Sequence, residues 1–162
     1  MAEFEQIALS EELLGVMRNA ARKAQELREP FITPRALLLA LLDDPGIGPA
    51  IAGVVNREKV VSADVDENFG TVRVIEEFLP EGEQPAITRY DTLAFKTPDS
   101  RASMWLTREA LRIFVEGALR VDERYFPKHL ALGFAAEAVQ SPGVLAAIRV
   151  EPGFLADAIY NL

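Results

Sequence analysis

The chain contains no cysteine, which excludes disulfides, thiolate metal sites and a cysteine nucleophile. Its one histidine, His129, leaves no pair of imidazoles for a zinc site and a single imidazole for base catalysis. No G-x-x-x-x-G-K-[ST] run occurs, so there is no phosphate-cradling loop of that kind, and Gly46-Ile-Gly48 is only a lone pair of glycines at a helix break. Basic charge is in short supply: 17 Lys and Arg against 25 Asp and Glu leave a net charge of −8. Such a surface repels phosphate backbones and anionic lipid, so neither nucleic acid nor membrane is an expected partner. The most apolar run, Ala36 to Leu42, falls far short of the ~20 residues of a membrane span. The opening Met-Ala-Glu-Phe-Glu-Gln is acidic where a secretory leader starts basic, and a cytoplasmic location is expected.

What is present reads as globular. Of 162 residues, 49% are hydrophobic and 26% charged, which argues against global disorder. Area scaling implies that folding hides roughly 69% of the extended-chain surface, enough for a core of its own. Ser10 with Glu11 and Glu12 makes a helix start, acids at the positive end of the dipole. Leu13, Met17, Ala20, Ala24 and Leu27 follow at spacings of four and three, the mark of a helix with one buried face, and Pro30 stops it. Thr33-Pro34 opens a second helix through Leu42 that is apolar nearly all round and should be central to the core. Asp43-Asp44-Pro45-Gly46 breaks it. A short helix through Ile47, Ile51 and Val54 is expected next, then a fourth from Asn56 to about Asp66.

The middle of the chain changes character. Thr71 to Ile75 and Ile87 to Tyr90 alternate as strands do, with a turn-like Pro80-Glu-Gly-Glu-Gln-Pro85 between them. This stretch reads either as a β-hairpin or as an acidic linker. Asp64, Asp66 and Asn68 faintly suggest a calcium loop, but Phe69 stands where the sharp turn wants glycine and Ile75 where the bidentate glutamate belongs. An acidic helix end is the better reading. Glu76-Glu77 and Glu81-Gly-Glu83 read as solvated charge.

The second half repeats the first. Thr107-Arg-Glu stands 97 residues after Ser10-Glu-Glu, and at that offset Leu14 meets Leu111, Met17 meets Phe114 and Ala21 meets Ala118. The next helix aligns Pro34-Arg-Ala-Leu with Pro127-Lys-His-Leu at an offset of 93. Pro45-Gly46 then matches Pro142-Gly143 at 97 again, so a shorter loop is followed by a longer helix. The expected fold is all-α in the main: two pseudo-twofold-related four-helix repeats packed as one domain. The division is 1–66 for the first repeat, 67–105 for an inter-repeat insertion with a possible β-hairpin, and 106–162 for the second repeat.

Ile32-Thr-Pro-Arg-Ala-Leu-Leu-Leu-Ala-Leu-Leu42 and Pro127-Lys-His-Leu-Ala-Leu-Gly133, each between an Ala-rich helix and a Pro-Gly break, resemble the Clp N-terminal domain over residues 9–66 and 106–162. The resemblance implies a non-catalytic platform that, in Clp-type AAA+ unfoldases, receives substrates and adaptors ahead of the ATPase rings. It also implies no cofactor and no metal. The family often carries Glu-His before the leucine run of each repeat, and in some members those glutamates receive phosphoarginine. Here Arg35-Ala36 and Lys128-His129 stand in those places, so a guanidinium ligand would meet like charge. Recognition of phosphoarginine is therefore expected to be lost, while an acidic peptide or a carboxylate remains admissible; the plainer alternative makes both bases ligand-free surface residues.

Phe31, Tyr125 and Phe126 sit at equivalent loops, and Phe69, Phe78, Tyr90, Phe95 and Trp105 gather in or near the insertion. They either line a groove between the repeats or pack inward as core. His129 lacks a Ser or Cys partner motif and reads as a packed or capping residue more readily than as a base. The partner-binding candidates are thus Phe31, Arg35, Tyr125, Phe126, Lys128 and His129, with no catalytic set. Two functions follow: a protein- or peptide-binding adaptor or accessory of a Clp machine, engaging Clp ATPase or protease components or their clients, or a protein that sequesters a small molecule or peptide in a cleft between the repeats.

Overall fold

The computed structural model describes residues 5–29, 31–65, 71–73, 75–78, 86–89, 93–97, 105–141 and 143–162. A short strand β1 (Glu5–Leu9) leads into α1 (Glu11–Glu26), α2 (Pro34–Leu42), α3 (Gly48–Ala52) and α4 (Arg57–Ser62). Four strand segments follow: β2 (Thr71–Arg73), β3 (Ile75–Phe78), β4 (Ala86–Arg89) and β5 (Leu93–Thr97). Strand β6 (Trp105–Thr107) then feeds α5 (Arg108–Ala118), the two-residue β7 (Arg124–Tyr125), α6 (Pro127–Gln140), α7 (Gly143–Ala147) and α8 (Pro152–Tyr160). The described chain is mainly helical, with four helices in each half as the repeat predicts.

Local chemistry explains where the helices begin. Ser10, Thr33, Asn56 and Thr107 each accept a hydrogen bond from the backbone N–H three residues on, at 3.0, 3.2, 3.1 and 3.2 Å. Helix α1 ends in a Schellman turn, with Arg28 at φ 55° and the Glu29 N–H on the Ala24 carbonyl at 2.8 Å. Helix α7 ends the same way at Arg149, φ 59°, with Val150 donating to Leu145 at 2.9 Å. The fourth helix is shorter than expected. It stops at Ser62, and Ala63 is already extended.

One hydrophobic core runs through both halves. Every residue from Ala36 to Leu42 is buried, and α2 touches α1, α3 and α4 of its own half and α5, α6 and α7 of the other. Helices α5 and α6 cross at two glycines. A Cβ on Gly133 would overlap the backbone of Gly117 and lie 2.5 Å from the Ile113 carbonyl, so only glycine permits the approach.

The halves are stitched by an exchange of backbone. Leu9, ahead of α1, pairs with Tyr125, ahead of α6, and Leu106, ahead of α5, bridges Ile32, ahead of α2. The Ser10 N–H bonds the Tyr125 carbonyl and the Thr107 N–H bonds the Ile32 carbonyl, both at 3.1 Å. Each half therefore holds the other's second-helix loop, which is the pseudo-twofold relation expressed in hydrogen bonds.

The middle strands pair differently from the hairpin expected of residues 71–75 and 87–90. Strand β2 joins β6, while β4 lies antiparallel between β1 and β5, and β3 is parallel to β5. The five-stranded order is β3-β5-β4-β1-β7. The reason is register: Ile7 faces Ile87 across β1 and β4, so the insertion is anchored to the N-terminal strand instead of closing on itself. The calcium-like stretch from Asp64 and the acidic Glu81–Glu83 turn lie partly or wholly outside the described residues, as do the side chains of Phe69, Phe78, Tyr90, Phe95 and Trp105.

Candidate functional site

The six residues singled out from sequence do not form one surface. Tyr125 is fully buried; its hydroxyl donates to the Phe114 carbonyl at 2.8 Å, and burial drives its phenol well above the ordinary value. It is core, and it fills the space that glycine leaves at position 117. His129 is also buried, and its Nδ1 accepts the Phe126 backbone N–H at 2.9 Å. Burial first, then the charge on Lys128, push its pKa below the usual imidazole value, with Asp122 opposing. A neutral, capping imidazole is the result.

Arg35 is a clamp. Its guanidinium donates to the Val61 carbonyl at 3.0 Å and to the Ala63 carbonyl, tying the end of α4 to the start of α2. Glu29 stands 3.9 Å from its Nε. These bonds also account for the early end of α4, since the freed carbonyls have a cation to receive them. Arg35 thus has a structural role, while its buried Nε has no hydrogen-bond partner. Phe31 is half-buried, whereas Phe126 and Lys128 reach solvent. Of the six, only these last two remain well placed to touch a partner.

The exposed apolar surface lies elsewhere. Among the described residues, every exposed large hydrophobic side chain except Val61 belongs to the second half. Three of them flank α6 and α8: Val139 at 74% exposure, Phe154 at 59% and Tyr160 at 70%. Leu132, Ala136 and Val139 form an outward stripe on α6, at spacings of four and three, and Pro152, Ala156 and Tyr160 form another on α8, at spacings of four. Lys128 stands one turn ahead of Leu132 on the α6 stripe. Between the stripes runs a groove of about 170 Å³ floored by Ala135 and Gly153 and lined at the α5 side by Arg120. It shares Val139, Pro152 and Gly153 with a wider open cleft of about 640 Å³ that reaches Leu145, Arg149 and Glu151.

Sequence reasoning missed this trough because α6 is apolar on its buried side too. Its outward leucine, alanine and valine vanish into what reads as a wholly buried helix. The available signal was the helical-wheel position of Val139, together with Phe154 and Tyr160 on the polar-facing side of α8.

The corresponding place in the first half is filled with charge. Asp43, at the end of α2, accepts from Asn19 at 3.0 Å, faces Lys23 at 3.2 Å and pairs with Arg57 of α4. Burial alone would raise the Asp43 carboxyl, but the bonds from Asn19, Arg57 and Lys23 outweigh it and hold the pKa below the usual value.

The chain is similar in structure to a solved structure, the N-terminal domain of the caseinolytic protease associated chaperone ClpD from Arabidopsis thaliana, with a TM-score of 0.56. The match covers 95% of this chain and 93% of that one at 16% identity. The fold is Clp N-domain-like. No family model matches the sequence, and no curated protein matches it either. The Clp N-domain-like likeness thus rests on architecture alone. Among the described residues no helix is long and apolar enough to cross a membrane, and no group of three or more acidic or histidine side chains is placed to hold a metal ion.

Proposed function

We propose that this chain is a Clp-related protein-binding module that docks a partner along the trough between α6 and α8 and performs no chemistry of its own. The observation that carries this reading is the segregation of exposed apolar side chains onto one half of a molecule whose other half is closed by ion pairs. An exposed tyrosine and valine beside small residues suit the anchoring of a few apolar side chains, with charged residues at the rim. The partner is a Clp ATPase or protease component, or one of their clients, met in the cytoplasm, and the module acts as an adaptor or accessory.

Affinity capture from the host lysate tests this when wild type is run beside Val139→Asp and Tyr160→Asp variants. Clp components should be retained by wild type and lost from both variants, with an exposed first-half change such as Glu12→Lys as the neutral control. Retention that survives both trough variants would refute the docking site. A protein that retains nothing but gains thermal stability from small molecules would instead be a sequestering protein.

A further inference from the structure

The helices of the two halves correspond in order, and one cluster of side chains separates them. Aligned from their N-caps, at offsets of 97, 93 and 95, Lys23 corresponds to Arg120, Asp43 to Ala136 and Arg57 to Pro152. In the first half Asp43 reaches into the space between α1 and α4 and receives Lys23 and Arg57. In the second half a cation is kept just beyond α5, as Arg120 lining the groove, but the carboxylate is replaced by the methyl of Ala136 and the second cation by Pro152, both of which line it too. The groove is the volume that this exchange leaves open.

We infer that the occupant of the groove is an acidic amphipathic helix of another protein, whose carboxylate meets Arg120 where Asp43 meets Lys23, and whose apolar side chains lie over Ala136 between Val139 and Tyr160. The inference rests on the docking reading given above and names the chemistry of the partner. A helix suits the shape: the trough runs along α8, nine residues or about 13 Å of helix, with the apolar stripes of α6 and α8 on its two sides. Although the chain as a whole carries −8, the charge at this rim is locally cationic. Arg120 lines the α5 side, Lys128 continues the α6 stripe, and the exposed Arg149 lines the neighbouring cleft, with Glu151 as the acid there. Arg120 is held by Glu116 of α5, whose carbonyl accepts from its Nη1 at 2.5 Å and whose carboxylate lies 3.4 Å from the same nitrogen. Lys23 pairs with Glu26 at 3.5 Å and still holds Asp43. Both bonds of Arg120 use Nη1, so its other guanidinium N–H groups are left to receive a second carboxylate.

The test uses two fluorescein-labelled synthetic helical peptides with the same leucine and phenylalanine face, one flanked by Glu and the other by Lys, in anisotropy titrations at low salt. The Glu peptide should bind about tenfold more tightly than the Lys peptide. Ala136→Asp, which restores the carboxylate of the first half, should weaken the Glu peptide about tenfold and leave the Lys peptide no weaker. Arg120→Gln should remove most of the preference and Arg120→Glu should reverse it, with circular dichroism melts confirming that each variant folds. Equal binding of both peptides, or no response to Ala136→Asp and Arg120→Gln in folded protein, overturns the acidic-helix inference while leaving the trough as a docking site. If neither peptide binds wild type, the docking reading falls and the inference with it.

Discussion

The first half of the molecule is fastened by polar side chains; the second is fastened by close backbone approach and leaves polar positions vacant. Where α1 and α2 meet, Ala20 and Ala40 are the buried small residues, and their counterparts are Gly117 and Gly133, which bring α5 and α6 into backbone contact. Where α2 starts, Thr33 caps it from the N-cap position; where α6 starts, His129 at the third helical position reaches back to the Phe126 N–H. Each helix keeps the opposite half of a capping box. Arg35 ties α2 to α4, while its counterpart Lys128 is exposed. One architecture thus supports a closed half built for stability and an open half with apolar surface to offer.

Breaking the backbone contact should have the largest effect. Gly133→Ala forces the Ile113 carbonyl and Gly117 apart and is expected to cost about 3 kcal/mol or more, whereas Ala40→Gly in the first half should cost only about 1 kcal/mol. Urea unfolding of both variants checks this, and a neutral Gly133→Ala would mean that the helices do not cross there.

Next in size is the clamp. Arg35→Ala removes two bonds to the Val61 and Ala63 carbonyls and should cost about 2 kcal/mol, with faster hydrogen exchange confined to α4. Lys128→Ala should leave stability unchanged. Equal effects from the two would erase the asymmetry.

The halves should also part company with pH. The His129 pKa is lowered by burial and Lys128 from its ordinary 6.5, so the unfolded chain binds the proton first. Its stabilising contribution is complete above 6.5 and declines as pH falls through the lower folded value. Asp43 is held below its ordinary 3.8, so its ion pairs persist above that value and are lost only as pH falls through the folded one. Stability measured between pH 7.5 and 5 should therefore drop, and His129→Gln should flatten the drop while Asp43→Asn should not. A slope unchanged by His129→Gln would contradict the capping role.

The smallest effects concern the left-handed Arg28 and Arg149. Glycine at either position relieves the Cβ strain of a Schellman turn, and Arg28→Gly or Arg149→Gly should each add about 0.5–1 kcal/mol. If Arg149→Gly also weakens the Glu peptide, the cation there contributes to docking.

Much of this fold is legible in the sequence because its signals are local. Ser10, Thr33, Asn56 and Thr107 announce helix starts, and the offsets of 97 and 93 announce the duplication. What is not legible depends on distant partners. The exchange of Leu9 with Tyr125 and Leu106 with Ile32 rests on one or two residues each, too few for any alternation. Tyr125 reads as a candidate anchor until the Phe114 carbonyl is seen to satisfy its hydroxyl in the core. Arg35 reads as a surface base until α4 arrives to receive it. Ala136 carries no sequence signal of its own; it matters only once Asp43 is known to stand in the same place in the other half.

The account turns on the second half being the binding half. Amide chemical shifts of the isotope-labelled protein, followed while the Glu-flanked peptide is added, test that most directly. Shifts centred on Leu132, Ala136, Val139, Ala156 and Tyr160, with α2 and α4 unmoved, are the predicted result. Shifts centred on Arg35, Val61 and the first half would contradict it.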